Sequence, residues 1–237
     1  MNRKKPVRGT NDGVPKAVIF DLDGTLIRSS VDFAKFRSRL IEYMKERGAD
    51  LSRYDLTGTT VDMIDEFERE CGQRGLADGT VRAYLDDIDA VLDEIEMERI
   101  SETLPVPEAP EVLKYLRAKG VLVGVLTRGC AGYARKAIDI AGLDGLVDAI
   151  VARDRKSGIA PKPDPQAAFR LLDMLGTEPE EAVMIGDFSL DFDCARDSGI
   201  RFYGIASNEN SKKSLKECGC DEIVADLKDF LNRIGVR

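Results

Sequence analysis

Histidine is absent from all 237 residues, and that one gap removes a large part of enzyme chemistry. No Ser-His-Asp triad, phosphohistidine intermediate or imidazole-ligated zinc can be assembled. Catalysis has to come from carboxylates, lysine, arginine, hydroxyls or thiols. Long hydrophobic runs are missing as well: no stretch approaches the roughly 18 uninterrupted apolar residues that a membrane span requires, so no membrane partner is expected. Met1 to Pro15 carries basic residues but no apolar core with a small-residue cleavage site, which predicts no secretory signal and a cytoplasmic protein. Cysteine is scarce and odd in number: Cys71, Cys130, Cys194, Cys218 and Cys220 are scattered, as reduced thiols are. Cys218-Gly219-Cys220 resembles half of a metal site, but the remaining cysteines lie far away in sequence and no imidazole can complete it, so ordinary thiols are expected. Positive charge is also in deficit. A net charge of −8 repels a polyanion and predicts no nucleic-acid partner.

What is present suits a folded globular chain, with 43% apolar and 33% charged residues. The length exceeds a common single domain of about 100–200 residues, so one large domain or a core with an insertion is expected. Arg3, Lys4, Lys5 and Arg8 lie beside Gly9, Asn11, Gly13 and Pro15, which predicts a flexible basic tail over 1–15.

Ala17-Val18-Ile19-Phe20 is a short apolar run ending at Asp21, the pattern of a buried parallel strand that delivers a polar residue at its C-terminal tip. Val121 to Leu126 ends at Thr127, and Val183-Met184-Ile185 ends at Gly186-Asp187. Ala149 to Val151, Phe202 to Ile205 and Ile223-Val224 predict further strands. Between them, helical spacing over 111–119, 133–141, 165–175 and 190–198 is closed each time by glycine. This alternation predicts βαβ units: an α/β fold with a doubly wound parallel sheet. Ligands of such sheets bind outside the carboxyl ends of the strands, where Asp21, Thr127 and Asp187 fall.

The alternation breaks between 29 and 104, where apolar residues recur only at helical spacing: Phe33, Phe36, Leu40, Met44; Val61, Ile64, Phe67; Val81, Tyr84, Ile88, Val91, Ile95. These stripes are packing faces, and the acids from Asp86 to Glu98 are a solvated face. Pro105, Pro107 and Pro110 mark the return to the α/β part. The expected organisation is a core over 16–28 and 105–237 with an all-helical cap over 29–104.

In Asp21-Leu22-Asp23-Gly24-Thr25 two carboxylates share one side of an extended segment, because side chains two apart face the same way. One can attack while the other handles a proton, and Gly24 lets the chain turn away without covering them. On its own, an Asp-x-Asp pair is as often a turn. The segment Asp21 to Leu26 resembles the first motif of the haloacid dehalogenase superfamily, and the other motifs follow in that family's order. Thr127 matches the second, Lys162 within Pro161-Lys162-Pro163-Asp164-Pro165 the third, and Gly186-Asp187-Phe188-Ser189-Leu190-Asp191 the acidic fourth. The stretch 162–200 is similar to the phosphoglycolate phosphatase-like branch.

The resemblance implies a phosphatase acting on a small-molecule phosphomonoester, with Asp21 as covalent nucleophile and Asp23 as general acid and base. It implies a magnesium ion held by Asp21, the Asp23 backbone carbonyl and Asp187, with Asp191 binding directly or through a water. Lys162 would offset the charge shared by nucleophile and phosphate, and Thr127 would bind a phosphate oxygen. Arg128 is expected at the substrate or the lid, with a surface position as the alternative, and Arg153, Arg155 and Lys156 as loop charge. A monomer or homodimer is expected. The nearest rival is a phosphomutase of the same branch, in which a histidine after the first motif is typical; none exists here. A rival from another class is a regulatory phospholigand-binding protein that kept the fold but not the chemistry.

Overall fold

The computed structural model describes residues 14–158 and 160–236. All but the end of the expected basic tail over 1–15 lies outside the described residues. Along the chain the elements are β1 (Ala17–Phe20), β2 (Ile27–Arg28), α1 (Phe33–Glu46), α2 (Thr60–Gln73), α3 (Asp78–Glu98), β3 (Leu104–Pro105), α4 (Ala109–Ala118), β4 (Leu122–Cys130) and α5 (Ala131–Ile140). They continue with β5 (Ala149–Arg153), α6 (Pro165–Leu175), β6 (Ala182–Gly186), α7 (Ser189–Ser198), β7 (Arg201–Ile205), α8 (Glu209–Glu217), β8 (Ile223–Val224) and α9 (Leu227–Arg233). Two compact units result, one of residues 30–100 and one of the remainder.

In the larger unit the strands form a parallel sheet of order β5-β4-β1-β6-β7-β8. β1 is central, and its four residues are all 0% exposed. That explains an apolar run without alternation: both faces of the strand are covered. On one face Ala17, Ile19 and Met184 join Leu171 and Leu172 of α6, Ala195 of α7 and Leu215 of α8 in a single core. On the other, Phe20 meets Phe230 of α9 edge-on at 6.1 Å between ring centroids, and Tyr203 meets the same ring at 5.3 Å, a favoured aromatic geometry. With helices on both faces the sheet is doubly wound, as expected.

Strand order reverses at β1, since the chain adds β4 and β5 on one side of it and β6 to β8 on the other. Register aligns Phe20 with Val125 and with Ile185. The residues that follow these three therefore emerge level at one end of the sheet, the switch point where α/β sheets bind ligands. β4 runs past its expected end at Thr127 to Cys130, and its register with β5 shifts between Leu126 and Cys130. Such irregularity at a strand tip is a common way to re-aim side chains. β2 and β3 pair as a short antiparallel ribbon, so the chain leaves and re-enters this unit along adjacent paths.

The smaller unit packs α1, α2 and α3 around Phe36, Leu40, Met44, Met63, Phe67, Leu85, Ile88 and Ile95. Phe33 drops out of the expected stripe, being 55% exposed at the first residue of α1, before the packed turns begin. Asp32 caps α1 by accepting from the Lys35 amide at 2.8 Å, and Thr59 and Asp62 form a reciprocal capping box on α2. Glu70 is buried in this unit, accepting from the Tyr54 hydroxyl at 2.5 Å and from the Asp50 amide at 3.1 Å.

Candidate active site

Directly after β1 the chain must turn while keeping two carboxylates at the sheet end. The Asp21 amide donates to the Ile185 carbonyl at 2.9 Å, which ties this turn to β6. The Gly24 amide donates to Ile27 and the Ile27 amide to Leu22, closing the loop before β2. Gly24 adopts φ +91°, and a Cβ there would lie 2.2 Å from an Asp187 oxygen. Both the backbone conformation and the space belong to glycine alone. The β1 turn and the β6 tip thus approach each other through a residue with no side chain.

Lys162 does not reach solvent as a surface lysine would; it is 3% exposed, and its Nζ contacts Asp21 Oδ1 at 2.5 Å and Asp191 Oδ1 at 2.6 Å. It sits just before α6, whose first turn is capped by Asp164 accepting from the Gln166 amide at 2.8 Å. Arg128 extends from β4 and donates to the Lys162 carbonyl, while Arg153 Nε donates to the Arg128 carbonyl at 3.0 Å. The expectation of loop charge is corrected for Arg153, which is buried and links the ends of β4 and β5 to the loop that carries Lys162. Asp191, in the first turn of α7, is buried, and its second oxygen accepts from the Phe188 amide at 3.1 Å. Thr127 is buried, with Oγ1 accepting from the Gly129 amide at 3.0 Å; its O–H is left to donate.

Asp21, Asp187 and Asp191 each place a carboxylate oxygen within 4.8 Å of the others. Burial and the surrounding carboxylates drive Asp21 well above the usual carboxylate range, against the opposing pull of Lys162. Burial and Asp191 push Asp187 up to about 7. Asp23 is raised, chiefly by burial. Asp21 and Asp191 hold the Lys162 ammonium above its normal value although burial works against it. One buried cation therefore faces an excess of acid, and charged carboxylates crowded this closely repel strongly at low dielectric. A cluster of hard oxygen donors with surplus negative charge fits a divalent cation.

The structure brings Asp21, Lys162, Asp187 and Asp191 into one group, with Asp23 in the same turn after β1 and Thr127 on the neighbouring strand β4. Residue-by-residue inspection of the sequence misses two partners of Asp23. Tyr133 donates to Asp23 Oδ1 at 2.5 Å, and Ser29 Oγ lies 3.2 Å from the Tyr133 hydroxyl. The only sequence signal is a polar-tipped aromatic six residues beyond Thr127, at the start of a predicted helix.

Comparison with known proteins matches the chain to the haloacid dehalogenase-like hydrolases over residues 15–199. A phosphoglycolate phosphatase of Aquifex aeolicus is 31% identical over 196 residues, covering 78% of this chain and 82% of its own. A solved hydrolase structure from Pseudomonas syringae superposes with a TM-score of 0.65 at 21% identity, covering 92% of this chain and 97% of its own. A Thermotoga maritima structure carrying a β-phosphoglucomutase assignment superposes at 0.59 with 21% identity, over 92% and 98% of the two chains. At these identities the two structures establish the shared fold and nothing finer.

Proposed function

Because the chain belongs to the haloacid dehalogenase-like hydrolases and is a phosphatase, we propose that it hydrolyses a small phosphomonoester in two steps through a phosphoryl group carried on Asp21. The observation that carries this reading is the buried Asp21–Lys162 contact at 2.5 Å, beside a second carboxyl, Asp23, at the switch point of the sheet. A carboxylate attacks a phosphate dianion only where fixed positive charge offsets their repulsion, and Lys162 sits where it can do so.

In the first step an Asp21 oxygen bonds to phosphorus, the ester P–O bond breaks, and Asp23 gives its proton to the departing alkoxide. In the second, water attacks the phosphorus, Asp23 takes the water's proton, and the P–Oδ bond breaks to restore Asp21 and release phosphate. Thr127 donates its hydroxyl to a phosphate oxygen throughout. We assign a magnesium site to Asp21, the Asp23 backbone carbonyl and Asp187, with Asp191 joining directly or through a water. Bound there, the ion would lower the negative charge that Lys162 alone leaves uncompensated. Arg128 acts in this reading by fixing the Lys162 loop.

The helical unit follows a strand-tip turn and is reached through the β2–β3 ribbon, which supports its assignment as a lid that selects substrate. The free state of all five cysteines accords with a cytoplasmic enzyme, and no helix among the described residues is long and apolar enough to cross a membrane. A phosphomutase would return the phosphoryl group to a sugar instead of water; the complete lack of histidine favours hydrolysis. The name of the Aquifex relative makes phosphoglycolate the first substrate to try. Purified protein incubated with a panel of phosphomonoesters and magnesium should release inorganic phosphate, and hydroxylamine quenching should leave a hydroxamate at Asp21. Release of phosphate without any adduct on residue 21 would overturn the covalent route.

A further inference from the structure

The two-step reaction makes no use of the buried Tyr133 hydroxyl, which lies beside Asp23. Tyr133 is 0% exposed, so this hydroxyl needs a fixed partner, and it finds one by donating to Asp23 Oδ1 at 2.5 Å. Ser29 adds to the same cluster, with its Oγ 3.2 Å from the Tyr133 hydroxyl and a hydrogen bond to the Asp23 carboxyl.

The residue is fixed through its backbone as well as at its ring. β4 passes straight into α5, so Thr127 and Tyr133 are carried on one continuous strand–helix junction. Cys130 caps that helix, its Sγ accepting from the Tyr133 amide at 3.4 Å. Gly129 leaves the space the ring occupies: a Cβ there would come within 2.6 Å of Tyr133 Cδ1. A phenol placed this firmly transmits its position to whatever it bonds.

We propose that Tyr133 is a positioning residue for proton transfer: its hydroxyl pins one oxygen of Asp23 and leaves the other facing the leaving-group oxygen. The inference rests on the role given to Asp23 in the proposed reaction. The physical basis is torsional. The outer torsion of an aspartate is broad and roughly two-fold, so an untethered carboxyl samples many headings. A general acid contributes about 10²–10⁴-fold only while it stays within hydrogen-bond reach of the atom it protonates.

The test compares two leaving groups in the full-length protein with magnesium present. An alkyl phosphomonoester departs as a strongly basic alkoxide and needs the proton; p-nitrophenyl phosphate departs as a stable phenolate and scarcely does. The readout is kcat/KM, which for this scheme covers only steps up to loss of the leaving group. Tyr133→Phe keeps the ring and should lower kcat/KM about tenfold or more on the alkyl ester, with less than about a twofold change on p-nitrophenyl phosphate. Ser29→Ala, a smaller change at a half-buried residue, should show the same selectivity with a smaller loss. Equal losses on both substrates, or no loss on either, would overturn the positioning role. Should Tyr133→Phe fail to fold, Ser29→Ala carries the test with the same two outcomes. Asp23→Asn separates the two levels of argument, since it must show the same selectivity more strongly. An Asp23→Asn enzyme without leaving-group dependence would refute the acid assignment itself, whatever Tyr133→Phe does.

Discussion

Glu70 in the helical unit and Asp21 in the sheet unit are similarly withdrawn from solvent, at 3% and 6% exposure, yet their surroundings are built on opposite terms. Burial pushes the Glu70 carboxyl upward, but the Tyr54 hydroxyl and the Asp50 amide, with Arg53 and Arg74 nearby, bring it below its ordinary range. Each Glu70 oxygen has its own neutral donor. Asp21 instead shares one lysine with Asp191 and faces Asp187 and Asp23 as further negative charge, and it is driven upward. Burial by itself therefore does not mark a working carboxylate. What separates the two is the balance of partners: Glu70 is satisfied by neutral donors of the protein, whereas the Asp21 cluster holds more negative charge than the lysine it shares can offset.

The comparison breaks most visibly if the two acids are neutralised in turn. Asp21→Asn should remove turnover by about 10⁴-fold or more, since an amide is nearly isosteric but a poor nucleophile. Its melting temperature should stay level or rise, because one of several mutually repelling acids has gone. Retained hydrolysis in well-folded Asp21→Asn protein would take Asp21 out of the mechanism.

Removing the counter-charge probes the same imbalance from the other side. Exhaustive chelation should cut activity by at least about 10²-fold, with recovery on adding magnesium. Magnesium should also stabilise the chelated protein by about 2.7 kcal/mol at a hundred times its Kd, read as a higher melting temperature. Asp187→Asn should lose both responses together. Calcium should stabilise without supporting turnover, since its looser geometry can engage both Asp21 oxygens and blunt their attack. Full-rate hydrolysis by chelated enzyme would show that the acid cluster serves some other end.

For the helical unit the expected loss is one of stability. Glu70→Ala strands the Tyr54 hydroxyl and the Asp50 amide, which costs about 1–3 kcal/mol for buried donors left unpaired. Chemical denaturation would read it as a lower midpoint, while turnover of p-nitrophenyl phosphate should persist in the folded enzyme. A variant as stable as the parent would mean that Glu70 is no better satisfied than Asp21.

How much of this was open to sequence reasoning follows from the range of the forces involved. The β1 run ending at Asp21 was legible because a strand covered on both faces must be apolar throughout, and the motif residues were legible as strand tips. Lys162 was placed by the resemblance of Pro161-Lys162-Pro163-Asp164-Pro165 to the family's third motif. The length of β4 was not, because its last residues are held by contacts to Arg153 and the Lys162 loop, which lie 23 residues or more away in sequence. α8 was missed for a simpler reason: among its residues only Leu215 is buried, so it has almost no apolar period to detect. Tyr133 and Ser29 lie 104 residues apart and meet only in the fold. Arg153 was misassigned because a charge beside a loop looks solvated until the neighbouring carbonyl that holds it is known.

The finest test of the contrast is the pH dependence of Glu70. Its folded carboxyl titrates below the ordinary range because the Tyr54 hydroxyl and Asp50 amide favour the charged form more than burial disfavours it. A depressed folded pKa means that the unfolded chain binds this proton more readily than the folded one. Stability from Glu70 is therefore fully present above the unfolded value of about 4.3 and is lost as pH falls through the folded value. Glu70→Gln removes the titration while keeping the size of the side chain. The stability difference between parent and Glu70→Gln, read by urea unfolding, should be largest near neutral pH and shrink steadily on acidification. Because every other acid titrates in both proteins, the difference isolates this one. A gap that widened in acid would place Glu70 with the strained carboxylates of the sheet unit, and the distinction drawn between the two buried acids would fail.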